Sequence, residues 1–308
     1  MKSIRILLTD KCNEYCPNCL NRSFRTESKF ISYQAFQMVA KFFHDNGVKK
    51  IRLMGGEPTL HPSFEEITKF AKNLYERVTV FTNGTNSQLL AFEPRAKDGI
   101  NYNFKFVNQL SEDILMPTKP GNRVLSIVID NNLNIDRTIK GLANVKKLLP
   151  TVKASLTFDC TANIFQNRDS FLKAFGKLYD YCIGNNIDVI LDHALPICFL
   201  YGTNIPTPKR FSICDTECSG LVDSDCNLHY CNINSADKLP LFYEGKLKPY
   251  KLLENFLYHE YCKNQIEVLN KICKDCPFYK DLCNGGCYVH NKIITRKDII
   301  NNTRLPLM

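Results

Sequence analysis

Through the first two thirds of the chain, short β-branched runs alternate with longer stretches whose apolar residues recur at helical spacing. The runs 3–8 (SIRILL), 50–54, 78–82, 101–107, 124–130, 152–159 and 187–192 have the length and composition of strands. In 32–47 (SYQAFQMVAKFFHDNG), Phe36, Val39, Ala40 and Phe43 fall at i, i+3, i+4 and i+7. Ser32 suits the N-cap of that helix and Gly47 its end. Segments 63–75, 136–149 and 168–184 read the same way. The 101–107 run lacks long helices on either side, because Pro94 and Pro117 interrupt them. Strands alternating with helices predict βα units, with parallel strands covered by helices on the outside. Six or seven such units predict an α/β fold, a full or partial TIM-type barrel rather than a flat doubly wound sheet.

After HALPICF (193–199) the alternation stops. Prolines fall at 206 and 208, and nine of the fifteen cysteines lie between 214 and 287. A boundary near 203 therefore divides a barrel core, 1–203, from a small cysteine-rich domain, 204–308. No apolar run approaches a membrane span of roughly 18 residues, and MKSIRILLTDKC turns polar too soon for a signal peptide. The chain reads as cytoplasmic, where thiols stay reduced, so fifteen cysteines argue for metal rather than disulfides. The net charge of +9 comes from scattered rather than striped lysines and arginines, which argues against a nucleic-acid partner.

The candidate chemistry begins at CNEYCPNC, where Cys12, Cys16 and Cys19 form C-x3-C-x2-C directly after the first strand. Three thiolates can occupy three corners of an iron–sulfur cluster and leave one iron open to a small molecule. The alternative is a zinc knuckle completed by a distant residue. At the end of the second strand comes MGGEP, whose Gly55 and Gly56 let backbone come close to a ligand and offer it N–H and C=O groups, beside Glu57. FTNGT (81–85) closes the third strand, as a helix-entry turn or as pocket lining through Asn83. Cys160 and Cys198 follow strand ends, either facing substrate as thiols or packed as structural cysteines, and Cys182 falls in a helix core. Asp130, Asn163, Arg168 and His193 also lie near strand ends, and each has an ordinary capping or packing reading.

CNEYCPNC followed by GGEP resembles the radical SAM superfamily. The resemblance implies a partial (β/α)6 barrel and a [4Fe–4S] cluster on Cys12, Cys16 and Cys19. Its open iron would be chelated by the amino and carboxylate groups of S-adenosylmethionine. Gly55, Gly56 and the Glu57 backbone would hold the methionine amino group. An electron from the reduced cluster would then cleave the sulfonium to methionine and a 5′-deoxyadenosyl radical, which abstracts a substrate hydrogen; a flavodoxin- or ferredoxin-like donor would supply the electron. Where the family commonly has an aromatic residue beside the adenine, this chain has Asn18.

The C-terminal run CKDCPFYKDLCNGGC (273–287) resembles the SPASM extension of radical SAM enzymes, typified by anaerobic sulfatase-maturating enzymes and maturases of ribosomal peptides. Its central spacing is one residue longer than usual. The resemblance implies one auxiliary [4Fe–4S] cluster on Cys214, Cys218, Cys231 and Cys287, and three corners of a second on Cys273, Cys276 and Cys283. No cysteine follows 287, so Cys262 or Cys226 would complete the second cluster, or its iron would stay open; Cys226 stands where the family usually has glycine. Spacing alone also admits a four-thiolate zinc site. The function implied is hydrogen abstraction from a peptide or protein side chain, giving oxidation, crosslinking or epimerisation. The chain begins at the barrel, so a leader peptide would need a separate recognition protein or the C-terminal domain. Two alternatives remain: a radical SAM dehydrogenase or rearrangement enzyme acting on a small metabolite, and a non-catalytic iron–sulfur or zinc binding module.

Overall fold

The computed structural model describes residues 1–24, 28–116, 118–159, 162–191, 197–200, 220–231, 237–268, 273, 276, 297 and 298. Contacts divide the chain into two compact units: 1–126 with 143–153 and 217–258, and 127–142 with 154–216 and 259–308.

In the first unit, β1 (Ser3–Leu7), β2 (Lys50–Met54), β3 (Arg77–Thr82), β4 (Gly99–Asn103) and the start of β5 (Asn122–Ile129) pair in sequence order, all parallel. Helices α1 (Tyr33–Asp45) and α2 (Phe64–Leu74) make the first two crossovers. The Ser32 side chain accepts the Ala35 N–H, and the helix buries Phe36, Val39, Ala40 and Phe43, the stripe its spacing predicts. Gly47, at φ 86°, turns the chain out of α1. One face of each strand is sealed by Ile4, Ile6, Ile51, Leu53, Val78, Val80, Ile100 and Tyr102, all completely buried. The Tyr75 hydroxyl after α2 donates to the carbonyl of Ala40 at 2.7 Å and joins the two helices.

The third and fourth crossovers carry only 3-10 turns and the four-residue α3 (Glu112–Leu115), as the prolines in those segments imply. The strand expected over 101–107 begins and ends earlier, at Gly99–Asn103. The Asn103 side chain accepts the Lys105 N–H and turns the backbone into a 3-10 segment, Phe104–Gln109. Apolar content alone does not reveal that cap.

The other edge of β1 is taken by β8 (Leu221–Val222), parallel, followed by antiparallel β9 (Asn227–His229) and β10 (Lys238–Pro240). A separate hairpin, β11 (Phe242–Tyr243) and β12 (Lys246–Leu247), precedes α7 (Tyr250–Val268). The β8–β9 turn is organised by Asp223. Its carboxylate accepts the Asp225 and Asn227 N–H groups at 3.0 and 2.8 Å and contacts His229 Nε2 at 2.7 Å.

In the second unit lie the end of β5, most of β6 (Lys153–Phe158), α5 (Arg168–Gly184), β7 (Asp188–Leu191) and α6 (Ile197–Leu200); α4 (Ile135–Leu148) begins there. Its core is aromatic: Phe158, Phe165, Phe171, Phe175 and Phe199 are all at most 1% exposed. Cys182 is fully buried in α5, and burial pushes its thiol up to about 11, as its helix-core position predicts.

Candidate active site

The loop carrying Cys12, Cys16 and Cys19 leaves β1 at the end where β2, β3 and β4 also terminate. The three thiols are half-buried. The Cys19 N–H donates to the Cys16 carbonyl at 3.2 Å, so the C-x2-C pair closes a turn. Cys273 and Cys276, in the second unit, close the same turn at 3.1 Å. Among the described residues no three His, Cys, Asp or Glu side chains gather closely enough to hold one metal ion. A cubane takes its thiolates on separate irons, and three thiols on one loop are the donor set that such a cluster uses.

The entry to this loop, Thr9 to Lys11, is clamped from both sides. The Thr9 hydroxyl donates to the Lys29 carbonyl at 2.5 Å, and the Asp10 carboxylate accepts the Lys29 N–H. On the other side, Gly56 N–H donates to the Thr9 carbonyl at 2.7 Å and Glu57 N–H to that of Lys11 at 2.8 Å. A Cβ on Gly56 would lie 2.2 Å from the Lys11 carbonyl oxygen, and one on Gly55 2.6 Å from that of Thr9. Of the N–H and C=O groups that the sequence offers at this turn, two N–H groups are engaged within the protein. Gly56 and Glu57 spend those donors on the protein's own backbone, and the missing Cβ atoms make room for the loop entry. Carbonyls remain the backbone groups suited to an incoming amino group.

Glu57 is 1% exposed, and its side chain points into the protein. Its carboxylate accepts from Thr59 N–H at 3.1 Å, the Thr59 and Thr82 hydroxyls at 2.6 and 2.8 Å, and Asn83 N–H at 2.7 Å. Burial holds its carboxyl above the usual range, against the pull of these donors. The side chain thus ties the end of β2 to the end of β3.

From β3, Asn83 reaches the cysteine loop. Its Oδ1 accepts the Thr85 N–H at 2.9 Å, which fixes the amide orientation and leaves Nδ2 to donate to Asn13 Oδ1 at 2.8 Å. Asn13 Nδ2 donates to the Thr85 hydroxyl at 2.8 Å, and that hydroxyl donates to Asn83 Oδ1 at 2.8 Å. The three side chains form a closed ring of hydrogen bonds, each donor feeding the next acceptor. The Asn83 side chain therefore fastens Asn13, the residue after Cys12.

Three residues at this site were not singled out from sequence. Asn13 sits in the ring. Asn21, buried, donates to the Gly55 carbonyl at 2.8 Å. Asn103, last in β4, places Nδ2 4.0 Å from Cys16 Sγ. For Asn103 the usable signal is an asparagine at a strand end, hidden by the late boundary drawn for that strand.

Of the remaining candidates, Asn18 is half-buried in the loop. Cys198 is half-buried in α6, and Arg168 donates to the neighbouring Phe199 carbonyl at 2.8 Å. The Asp130 and Asn163 side chains accept the N–H groups of Asn132 and Phe165 two residues on, closing local turns. Cys231 is half-buried after β9. Cys226 occupies a left-handed position, φ 60°, which accounts for a preference for glycine there. It is buried, and burial first, then Asp223 and Asp225, pushes its thiol up to about 11. Cys262 is half-buried on α7. Cys160, His193, Cys214, Cys218, Cys283 and Cys287 lie outside the described residues.

The radical SAM superfamily pattern matches residues 6–164. The GTP 3',8-cyclase of Chlorobaculum tepidum is 34% identical over 102 residues, 32% of this chain and 31% of that protein, so the match spans about a third of the relative. Among solved structures, Streptococcus suis SuiB bound to precursor peptide SuiA superposes with a TM-score of 0.63 at 12% identity, covering 84% of this chain and 66% of that one. Native anSMEcpe with bound AdoMet and Cp18Cys peptide gives 0.59 at 18% identity, covering 97% and 96%. At those identities the likeness is one of fold.

Proposed function

The chain belongs to the radical SAM superfamily, and we propose that within it the protein abstracts a hydrogen atom from a peptide or protein side chain, as an oxidising, crosslinking or epimerising maturase. Membership implies S-adenosylmethionine and a [4Fe–4S] cluster. In this reading Cys12, Cys16 and Cys19 hold the cluster, and the backbone at Gly55–Glu57 receives the amino group of S-adenosylmethionine through carbonyl oxygens. When bound, the pair supplies reductive cleavage of the sulfonium and a hydrogen-abstracting radical. The chain's own contribution is rigidity. Glu57, the Asn13–Asn83–Thr85 ring and the Thr9–Lys11 clamp hold the loop before anything binds, so little ordering cost remains at the moment of reaction.

The observation that carries the peptide reading is the extent of the fold likeness. It runs over 84% and 97% of this chain to two proteins solved with a peptide, SuiA and Cp18Cys respectively. The cysteines after residue 203 support it, since auxiliary clusters can accept the electron that a substrate radical leaves behind. Cys214, Cys218, Cys231 and Cys287 would hold one such cluster, and Cys273, Cys276 and Cys283 most of a second, within a SPASM-like region over 204–308. The Cys273–Cys276 turn, matching that of Cys16–Cys19, favours metal binding there. No helix among the described residues is long and apolar enough to cross a membrane, and the proposed setting is cytoplasmic. Electron supply would come from a flavodoxin- or ferredoxin-like protein.

A second reading, action on a small metabolite, is favoured by the 34% identity to a GTP 3',8-cyclase. Anaerobic reconstitution with reductant and S-adenosylmethionine separates the two. 5′-Deoxyadenosine formation that rises with a co-encoded short peptide supports the maturase, and a rise with metabolites alone refutes it. No 5′-deoxyadenosine from a cluster-replete sample would leave a binding module. Iron near about 12 per chain fits three clusters, roughly 8 two, and roughly 4 with zinc a single cluster. Cys12→Ala should abolish cleavage.

A further inference from the structure

The turn that follows β4 touches the cysteine loop at two points. Asn103 Nδ2 lies 4.0 Å from Cys16 Sγ, and Lys105 Nζ donates to the carbonyl of Tyr15, the residue before Cys16, at 3.5 Å. The orientation of the Asn103 amide is settled by its neighbours. Its Oδ1 accepts the Lys105 backbone N–H at 3.1 Å, and a backbone N–H only donates, so the amide nitrogen must be the end that faces sulfur. The same Oδ1 contact starts the 3-10 segment after β4, so the cap that ends the strand also aims the donor. Asn103 is half-buried and directly opposite Ser126 of β5 in the register, on the same strand face as Asn101.

We propose that Asn103, with Lys105 behind it, is a positioning residue that sets how readily the cluster at Cys12, Cys16 and Cys19 accepts its electron. The inference rests on the reading of that loop as the cluster site. Its physical basis is the hydrogen bond to a ligand sulfur. One-electron uptake raises the negative charge on the thiolate sulfurs, and an N–H aimed at one of them stabilises the reduced state more than the oxidised one. The Lys105 ammonium on the Tyr15 carbonyl acts in the same direction through its charge. Such a donor makes the cluster easier to reduce without contacting substrate.

Asn103→Ser and Asn103→Asp both keep a side-chain oxygen able to cap the Lys105 N–H and lack the N–H aimed at Cys16. The test uses the reconstituted full chain. It reads iron per chain and, by potentiometric titration with electron paramagnetic resonance, the cluster signal that changes on adding S-adenosylmethionine. The expected result is parental iron and a reduced-to-oxidised ratio several-fold to tenfold lower at the same solution potential, a tenfold change being about 59 mV for one electron. Lys105→Gln should shift the titration in the same direction by less. Titration curves identical to the parent at full iron overturn the inference and leave the cluster reading standing. Loss of the cluster in both Asn103 variants overturns it as well, marking the residue as a structural clamp. A Cys16→Ser chain that keeps the S-adenosylmethionine-responsive signal unchanged sinks the cluster reading itself.

Discussion

Replacing Gly56 with alanine tests the account of the GGEP turn most sharply. The φ of Gly56 lies outside the left-handed region, so the alanine backbone is unstrained and any cost comes from the added methyl. That methyl would lie 2.2 Å from the Lys11 carbonyl oxygen, 2.5 Å from its carbon and 2.7 Å from the Asp10 carbonyl oxygen. All three are backbone atoms one or two residues before Cys12, and none can rotate away. The loop entry would have to retreat by about 1 Å to reach ordinary contact. The retreat stretches the Gly56–Thr9 and Glu57–Lys11 hydrogen bonds. Overpacking of this kind costs about 1–3 kcal/mol, and the two bonds about 0.5–1.5 kcal/mol each. The sum, about 2–6 kcal/mol, is a large share of a typical domain's stability. The assay pairs urea unfolding with iron per chain after reconstitution; both the midpoint and the iron load should fall. Gly176→Ala is the control. It lies in α5 with nothing within 4 Å of the added carbon, and should stabilise by about 0.5–1 kcal/mol. A Gly56→Ala protein with the parental midpoint and full iron would refute the reasoning.

Three further outcomes follow from the geometry. Burial pushes the Asp98 carboxyl up, but hydrogen bonds from Arg95, from Val78 N–H and from Arg95 N–H more than reverse this and hold it below the usual range. A depressed carboxyl gives stability that is present above the unfolded value of about 3.9 and lost as pH falls through the folded value. The unfolding midpoint should therefore drop below about pH 4, and Asp98→Asn should flatten that drop while costing about 1–3 kcal/mol at neutral pH. Cys226→Gly relieves about 1 kcal/mol of left-handed strain and should leave iron per chain unchanged; loss of one cluster's worth would make Cys226 a ligand after all. Asn13→Ala and Thr85→Val break the same hydrogen-bond ring, so their unfolding costs should be non-additive by about 0.5 kcal/mol or more in a double-mutant cycle. Strict additivity would show that the ring does not act as a unit.

How much could be read in advance depended on the range of the interaction. The α1 stripe of Phe36, Val39, Ala40 and Phe43 was legible because helical periodicity is local. So was the placement of Cys12–Cys19 and Gly55–Glu57, the first a few residues beyond β1 and the second directly after β2, both strands with a clear apolar run. The last strand before the fourth crossover was legible only in part, because the Asn103 cap that ends it competes with a run of apolar residues that would otherwise continue it.

By itself the sequence determined the βα order, the amphipathic helices, the two motifs at strand ends and the richness in thiols toward the C-terminus, since each is written in short windows of residue type and spacing. Tertiary structure alone decided what those motifs touch. The glycines of GGEP make room for backbone some 45 residues earlier, Asn83 closes a ring with Asn13, Asn103 aims at Cys16, and 221–222 returns to pair with β1. The physical reason is that a hydrogen bond between residues far apart in the chain leaves no periodic trace. It exists only once parallel strands bring their ends together, and there the asparagine that caps the turn after β4 also reaches the cysteine loop.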